Sequence, residues 1–227
     1  MLEAIANERV DAIWCLGDTV GYGPRPNDCC ALVEARATTC LAGNHDLLAL
    51  GKVVQPGDFN ADAAASGVWT AGALDAAARG FLERLEPYAH EANADLYHAS
   101  ARDPVWEYVL TDDAARATLE LSPSALVFVG HSHVPLAIAL DDGDLTGGHA
   151  PGGTEVSIGS GRCLLNPGSV GQPRDGDPRA AWLVVDVGDG AAHAVFHRTE
   201  YDVPETQAEI RSAGLPDTLA ERLTLGL

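Results

Sequence analysis

The stretch that decides the fold is LAGNHD, Leu41–Asp46, an apolar run that stops at a glycine and continues with an amide, an imidazole and a carboxylate. Gly43 lets the chain turn where a side chain would obstruct it. Loops at the carboxyl ends of strands usually bind ligands in α/β proteins, so the polar residues are candidates for a site. Asn and Asp also occupy such junctions for local hydrogen bonding alone, and the stretch by itself leaves a simple capped turn equally open.

Three other expected strands end in the same way. Val10–Leu16 leads to Gly17-Asp18, Asp95–Tyr97 leads to His98, and Ala125–Val129 leads to GHSH, 130–133. Carboxyl ends of strands in a common sheet meet at one edge. An extended backbone would also point two histidines of GHSH to the same side. We therefore expect one sheet edge to gather Asp18, Asn44, His98, His131 and His133.

These side chains form a mixed set of metal ligands. A carboxylate oxygen, an amide oxygen and imidazole nitrogens suit Mn, Fe or Zn rather than Ca or Mg alone. A single loop histidine is most often a surface residue, but four strand-terminal coincidences favour a metal site over chance.

The pattern of strands and helices predicts an α/β fold in a single domain, 1–227, and the chain length fits one domain. Helical patterns over 60–86 indicate a cap or flank, and the helical segment 204–225 is expected to pack on the outside. Short strands separated by turns begin at Pro135, and these predict a second, more antiparallel sheet stacked on the first.

Charge and composition exclude several classes of function. The chain has 33 acidic and 14 basic residues and a net charge of −19, so it should repel nucleic acid and anionic membranes. A polyanionic substrate would need local positive charge. Five cysteines without CxxC spacing indicate reduced thiols. Because neither a signal peptide nor an apolar membrane span is evident, we expect a cytoplasmic protein.

Four motifs together resemble the calcineurin-like metallophosphoesterases: GDTVGYGP (17–24), GNHD (43–46), His98 and GHSH (130–133). The resemblance extends to about Val187 and is strongest to the small bacterial branch described as diadenosine-tetraphosphatase-like or phosphodiesterase-like. It implies two stacked mixed β-sheets flanked by helices, a four-layer sandwich.

The resemblance also implies a site for two divalent metal ions, with Mn favoured over Fe or Zn. Asp18 would bridge the ions, and one ion would bind Asn44, His98 and His131. The other ion would bind His133 together with an Asp-Xaa-His motif at the end of the first strand of the family. That motif is absent here. We expect the first strand to be missing, through a misassigned start or a truncation rather than natural variation.

The reaction implied is hydrolysis of a phosphoester or phosphoanhydride in a small, nucleotide-like molecule. His45 would protonate the leaving oxygen or stabilise its developing charge, and Asp46 would orient His45 through a hydrogen bond. Tyr22 is expected to flank the leaving group, and Arg25 and Arg174 are candidates for binding a second phosphate.

Two alternatives stay open from the sequence. A chain that lacks the ligands of one metal could be an inactive single-metal binding protein. A protein serine/threonine phosphatase would share the metal motifs, but the chain is short and has no evident peptide-binding insertion. The sequence leaves the oligomeric state undetermined.

Overall fold

The computed structural model describes residues 1–52, 59–159, 161–187 and 192–227. The helices in these ranges are α1 (Leu2–Asn7), α2 (Pro26–Arg36), α3 (Asn44–Ala49), α4 (Ala61–Ala73), α5 (Ala76–Glu83), α6 (Asp112–Leu121), α7 (Val203–Ser212) and α8 (Asp217–Leu225). The strands are β1 (Trp14–Cys15), β2 (Thr39–Cys40), β3 (Tyr88–Glu91), β4 (Ala94–Tyr97), β5 (Leu126–Val129), β6 (Pro135–Asp141), β7 (Asp144–His149), β8 (Glu155–Ile158), β9 (Arg162–Pro167), β10 (Ala180–Val187) and β11 (Ala192–Thr199).

A six-stranded mixed sheet, in the order β3-β4-β5-β9-β6-β7, forms one layer of the molecule. Its central strands β4, β5 and β9 run parallel. The sequence of β5 is apolar throughout because both of its faces are covered. Leu126 and Phe128 face the neighbouring sheets, whereas Val127 and Val129 pack beneath α6.

The second layer consists of two separate pieces, the parallel pair β1-β2 and the antiparallel sheet β10-β11-β8. Both pieces pack on the same face of the six-stranded sheet. Trp14 meets Phe128 edge-on with ring centroids 5.4 Å apart, and Phe196 of β11 belongs to the same apolar core. The expected α/β architecture of stacked sheets flanked by helices is confirmed.

The assignment of strands to the two layers differs from the expectation. The strands after Pro135 were expected to form a sheet of their own, but β6, β7 and β9 join β4 and β5 instead. The physical reason lies in β9, whose residues Cys163–Asn166 are all buried, so that it requires a central position. Only β8, β10 and β11 form the antiparallel sheet.

The segment 60–86 packs against the helices beside β1 and β2. The first helix of this segment, α4, ends at Ala73. Asp75 then caps α5 by accepting a hydrogen bond from the backbone N–H of Ala78 at 2.8 Å. Helix α4 contacts α3, and α5 contacts α2.

Helices α7 and α8 form a C-terminal hairpin. Its buried residues include Ile210, Leu219 and Leu223, and Tyr22 and Trp69 pack against them. The hairpin therefore supports the loop that follows β1 rather than lying apart from it. All five cysteines are free thiols. Among the described helices, none has the length and apolar character needed to cross a membrane.

Candidate active site

The site lies where the two layers meet. Asp18 and Asn44 follow β1 and β2 in one layer, whereas His98 and His131 follow β4 and β5 in the other. The expectation of a single sheet edge is therefore wrong. The layers approach so closely at Gly130 that an added Cβ would lie 3.3 Å from the carbonyl oxygen of Leu16. Stacking, rather than one continuous sheet, brings the four strand ends together.

Asp18 is held at the centre of the site. One carboxylate oxygen, Oδ1, accepts a hydrogen bond from the backbone N–H of His45 at 2.9 Å. A Cβ on Gly43 would lie 2.0 Å from the same oxygen, so only glycine fits there. The other oxygen, Oδ2, is buried and has no hydrogen-bond partner among the described residues. A buried carboxylate oxygen in this state is unfavourable without a cation.

Three histidines each donate one ring N–H to a backbone carbonyl. His98 Nδ1 donates to Leu16 at 2.7 Å, His131 Nε2 to Trp106 at 3.1 Å, and His133 Nδ1 to Gln172 at 2.8 Å. A carbonyl oxygen can only accept, so these bonds fix the position of one ring proton. In the neutral form, the second nitrogen of each ring carries a lone pair, as in metal-ligating histidines.

Two of these rings, His98 and His131, lie close to the carboxylate of Asp18. His98 Nε2 lies 3.2 Å from Asn44 Oδ1 and 3.6 Å from Asp18 Oδ2. Ligand atoms of Asp18, His98 and His131 lie within 4.8 Å of one another. A carboxylate, an amide oxygen and two imidazoles thus fit one divalent transition metal, and the cation would satisfy the unpartnered Oδ2.

The GHSH loop has a different backbone from the one expected. His131 and His133 were expected in an extended segment, but both have φ of 60°, in the left-handed region. The loop is tightly turned because the N–H of Ser132 bonds to the carbonyl of Gly130 at 2.6 Å. Asn166 stabilises this turn by donating to the Gly130 carbonyl at 2.8 Å and to Ser132 Oγ at 3.0 Å.

Burial keeps His131 and His133 neutral. It lowers the pKa of His131 to about 4, with a further contribution from His98. It also lowers the pKa of His133 to about 3, and the nearby Arg174 acts in the same direction. Burial alone would raise the pKa of Asp18, but His98, His45 and the other histidines outweigh it and lower that pKa. The site therefore favours neutral imidazoles around an ionised carboxylate, the forms that bind metals.

The expected hydrogen bond from Asp46 to the His45 ring does not occur among the described contacts. Asp46 lies at the third position of α3, so its carboxylate folds back and accepts from the N–H of Gly43 at 2.8 Å. It also accepts from the N–H of Val20 at 3.0 Å. Asp46 thus ties the start of α3 to the glycine-rich loop, and burial raises its pKa.

His45 is buried, and its Nδ1 has no hydrogen-bond partner in the described part of the chain. Its ring lies 4.3 Å from the ring of Tyr22 and 5.2 Å from that of Phe59, measured between centroids. Burial lowers the pKa of His45, although Asp18 opposes the shift. A neutral imidazole can still donate a hydrogen bond to a developing negative charge.

An aromatic wall surrounds the histidines, and three of its four members were not singled out in the sequence. Tyr108 stacks on His131 with centroids 4.0 Å apart, and Phe59 contacts Trp106 at 5.2 Å. Tyr22 completes the wall beside His45. These residues lie in irregular segments outside strands and helices, where periodicity carries no signal for them.

The two arginines considered for phosphate binding have different environments. Arg174 donates to the hydroxyl of Tyr22 at 3.2 Å, and its backbone N–H bonds to the carbonyl of His133 at 3.2 Å. Arg25 is exposed and pairs with Glu209 of α7. Arg174 thus lies next to the histidines, whereas Arg25 joins the glycine-rich loop to the C-terminal hairpin.

Comparison with known proteins identifies the family. The model of the calcineurin-like phosphoesterase superfamily domain matches residues 1–190. The chain belongs to this superfamily. A metallophosphoesterase from Sphaerobacter thermophilus has a similar structure, with a TM-score of 0.84 and 38% sequence identity, covering 100% of this chain and 93% of that one.

Two other proteins are similar to this chain. The uncharacterised protein MJ0912 of Methanocaldococcus jannaschii is 35% identical over 232 residues, covering 100% of this chain and 91% of the relative. The hypothetical protein PH1004 of Pyrococcus horikoshii OT3 has a TM-score of 0.77 at 18% identity, covering 100% of this chain and 90% of that one. The latter likeness shows the fold alone. Membership of this superfamily supports metal-dependent hydrolase activity in general and a metal site formed by Asp and His residues.

Proposed function

We propose that this calcineurin-like phosphoesterase hydrolyses a phosphoester or phosphoanhydride bond in a small, nucleotide-like molecule, using two divalent metal ions with Mn preferred. The observation that carries the proposal is the environment of His98. Its Nε2, freed by the bond from Nδ1 to Leu16, faces oxygens of Asn44 and Asp18 at 3.2 and 3.6 Å. A cation bound between these three electron-rich atoms would remove their mutual repulsion.

The residues fit the metals as follows. Asp18, Asn44, His98 and His131 would hold one ion, and His133 with Asp18 would contribute to the second. When bound, such ions stabilise phosphoryl oxygens as Lewis acids and lower the pKa of a bound water to near neutrality. His131 and His133 are already neutral, as metal-binding imidazoles must be, because burial lowers their pKa values.

His45 is proposed to act on the leaving group. Because burial lowers its pKa, the imidazole is better suited to stabilise developing charge through a neutral N–H than to deliver a proton as imidazolium. Tyr22 and Phe59 pack against the ring and exclude water from it. The role of Asp46 is to position α3, and hence His45, through the backbone of Gly43 and Val20.

The test combines metal content with turnover. The protein is loaded with Mn, dialysed and assayed for bound metal by mass spectrometry, and then assayed with bis(p-nitrophenyl) phosphate. Two ions per chain and Mn-dependent turnover are expected. Asp18→Asn should lose metal and reduce kcat/KM by at least about 10- to 100-fold, the loss typical of disturbing a ligand's environment. Asp28→Asn makes the same change on the exposed face of α2 and should leave both readouts unchanged.

A second function is favoured by one specific observation. The described residues supply a full ligand set around His98, but among the proposed ligands only His133 remains to serve a second ion with Asp18. A single-metal binding protein without hydrolase activity would match this imbalance. At most one metal per chain, together with no turnover, would support this second function and overturn the first.

A further inference from the structure

Two arginines lie near the ring of Tyr22. The guanidinium carbons of Arg174 and Arg222 each lie 5.9 Å from the centroid of this ring. Arg174 precedes β10, whereas Arg222 belongs to α8 of the C-terminal hairpin. Arg222 donates to the carbonyl of Leu227 at 2.7 Å. The hairpin thus places a positive charge against a residue of the active-site wall.

In the described part of the chain, no Asp or Glu side chain lies within ion-pair distance of either guanidinium, and Arg222 Nε bonds only to the main-chain oxygen of Leu227, the last residue of the sequence. This is unexpected in a protein with 33 acidic and 14 basic residues. Asp62 attracts Arg222 only from a greater distance, and its Oδ2 accepts a hydrogen bond from Thr218. Arg174 and Arg222 repel each other, and an anion close to both would remove the repulsion.

Buried donors beside the pair also lack partners. Arg174 Nε and Gln172 Nε2 are both buried, and neither has a hydrogen-bond acceptor among the described residues. Leaving buried donors unpaired costs free energy. An anionic oxygen could accept from both, because Arg174 Nη2 already bonds to Gln172 Oε1 at 3.2 Å and so keeps the two side chains together.

The arginine pair lies beside the proposed catalytic residues. The Tyr22 ring is 4.3 Å from the ring of His45 and 6.5 Å from that of His133. Arg174 is also bonded through its backbone N–H to the carbonyl of His133. A substrate whose reacting phosphoryl group lies at the histidines could therefore place another group near Tyr22.

We infer that Arg174 and Arg222 bind a second anionic group of the substrate, a phosphate that is not the one hydrolysed. The inference rests on the proposed function and narrows its substrate class to small molecules with at least two phosphates. Arg222 takes the place expected for Arg25, whose charge is engaged by Glu209. The C-terminal hairpin then contributes to substrate selection as well as to folding.

The first test compares two p-nitrophenyl nucleotide diesters that differ only by an additional phosphate on the sugar. Arg222→Gln should reduce the preference for the more charged ester, expressed as the ratio of kcat/KM values, by roughly 10- to 100-fold. Arg211→Gln removes a charge from the same hairpin, where Arg211 pairs with Asp217 at the surface, and should leave the ratio unchanged. Equal losses on both esters, or no loss, would overturn the inference.

The second test separates this inference from the proposed function. Inorganic pyrophosphate is titrated into the metal-free protein by calorimetry, with equal unfolding midpoints confirming that each variant is folded. Binding should weaken roughly 10- to 100-fold in Arg222→Gln and be retained in Arg211→Gln. Absent or Arg222-independent binding would overturn the anion site. Arg222-dependent binding without turnover of either ester would support the anion site while refuting the proposed function.

Discussion

Each histidine proposed as a metal ligand is oriented by a hydrogen bond to a backbone carbonyl. The bonds from His98, His131 and His133 to Leu16, Trp106 and Gln172 fix the ring orientations. Because their acceptors are main-chain atoms of other loops, the fold itself determines which ring nitrogen is left free to bind a metal. Such preorganisation lowers the entropic cost of binding a cation.

His45→Gln should reduce the turnover of substrates with poor leaving groups more than that of substrates with good ones. If the imidazole N–H stabilises the leaving oxygen, its loss should reduce kcat about 100-fold or more for an alkyl phosphodiester. The reduction should be smaller for a p-nitrophenyl ester, since p-nitrophenolate needs little assistance. Steady-state kinetics with both esters measure the difference. A uniform reduction would indicate that His45 acts on metal binding or structure instead.

Asn166→Ala should destabilise the turn of the GHSH loop without replacing any proposed metal ligand. Asn166 is fully buried and donates to the Gly130 carbonyl and to Ser132 Oγ. Removing both bonds should weaken metal affinity about 10- to 100-fold by releasing the turn that carries His131 and His133. Metal titration of the variant measures this loss. Unchanged affinity would show that the turn is maintained by other contacts.

At the scale of elements, the C-terminal hairpin links stability to the site. Leu219 is 0% exposed and packs in the cluster that includes Tyr22, whereas Leu225 on the same helix is 56% exposed. Leu219→Ala should lower the free energy of unfolding by about 2–4 kcal/mol and also reduce turnover by loosening Tyr22. Leu225→Ala should change neither. Urea denaturation and turnover test the pair, and an equal response from both variants would contradict this role.

Sequence patterns predicted the elements better than their arrangement. The apolar runs of β4, β5 and β9 indicated strands, because a strand that is buried on both faces needs apolar residues along most of its length. Strands β3 and β7 were missed, since Tyr88–Glu91 and Asp144–His149 are edge strands with exposed, mixed residues. The sheet that each strand joins depends on long-range pairing, which local pattern does not encode.

The candidate site was predictable where side chains follow strands directly. Asp18, Asn44, His98 and His131 all stand immediately beyond apolar runs, and the structure brings them together. The hydrogen bonds of Asp46 were not predictable, because they depend on where α3 begins. Arg222 gave no signal, since its relation to Tyr22 exists only after the hairpin folds back.

At the scale of the whole molecule, buried histidines make stability depend on pH. The pKa values of His131 and His133, about 4 and about 3, lie below the 6.5 of an ordinary histidine. The unfolded chain therefore binds more protons than the folded one as the pH falls below about 6.5. The free energy of unfolding of the metal-free protein should fall towards pH 4, by at most about 1.4 kcal/mol per pH unit for each histidine.

Urea denaturation at several pH values measures this slope. His133→Gln should flatten it, because one buried imidazole is removed. His193→Gln, at an exposed position, should leave it unchanged. A profile that is flat between pH 7 and 4 would contradict the lowered pKa values of His131 and His133.

The left-handed backbone at Asp18, Tyr22, His131 and His133 has a consequence for laboratory evolution. Side chains other than Gly, Asn or Asp cost of order 1–3 kcal/mol in this conformation. Replacing the tyrosine or the histidines by Asn or Gly would relieve that backbone cost. A screen for heat resistance alone would therefore first select variants that have lost these active-site side chains. A screen that also requires turnover would instead select stabilising substitutions in the sheets and helices, where thermal stability and catalysis do not compete.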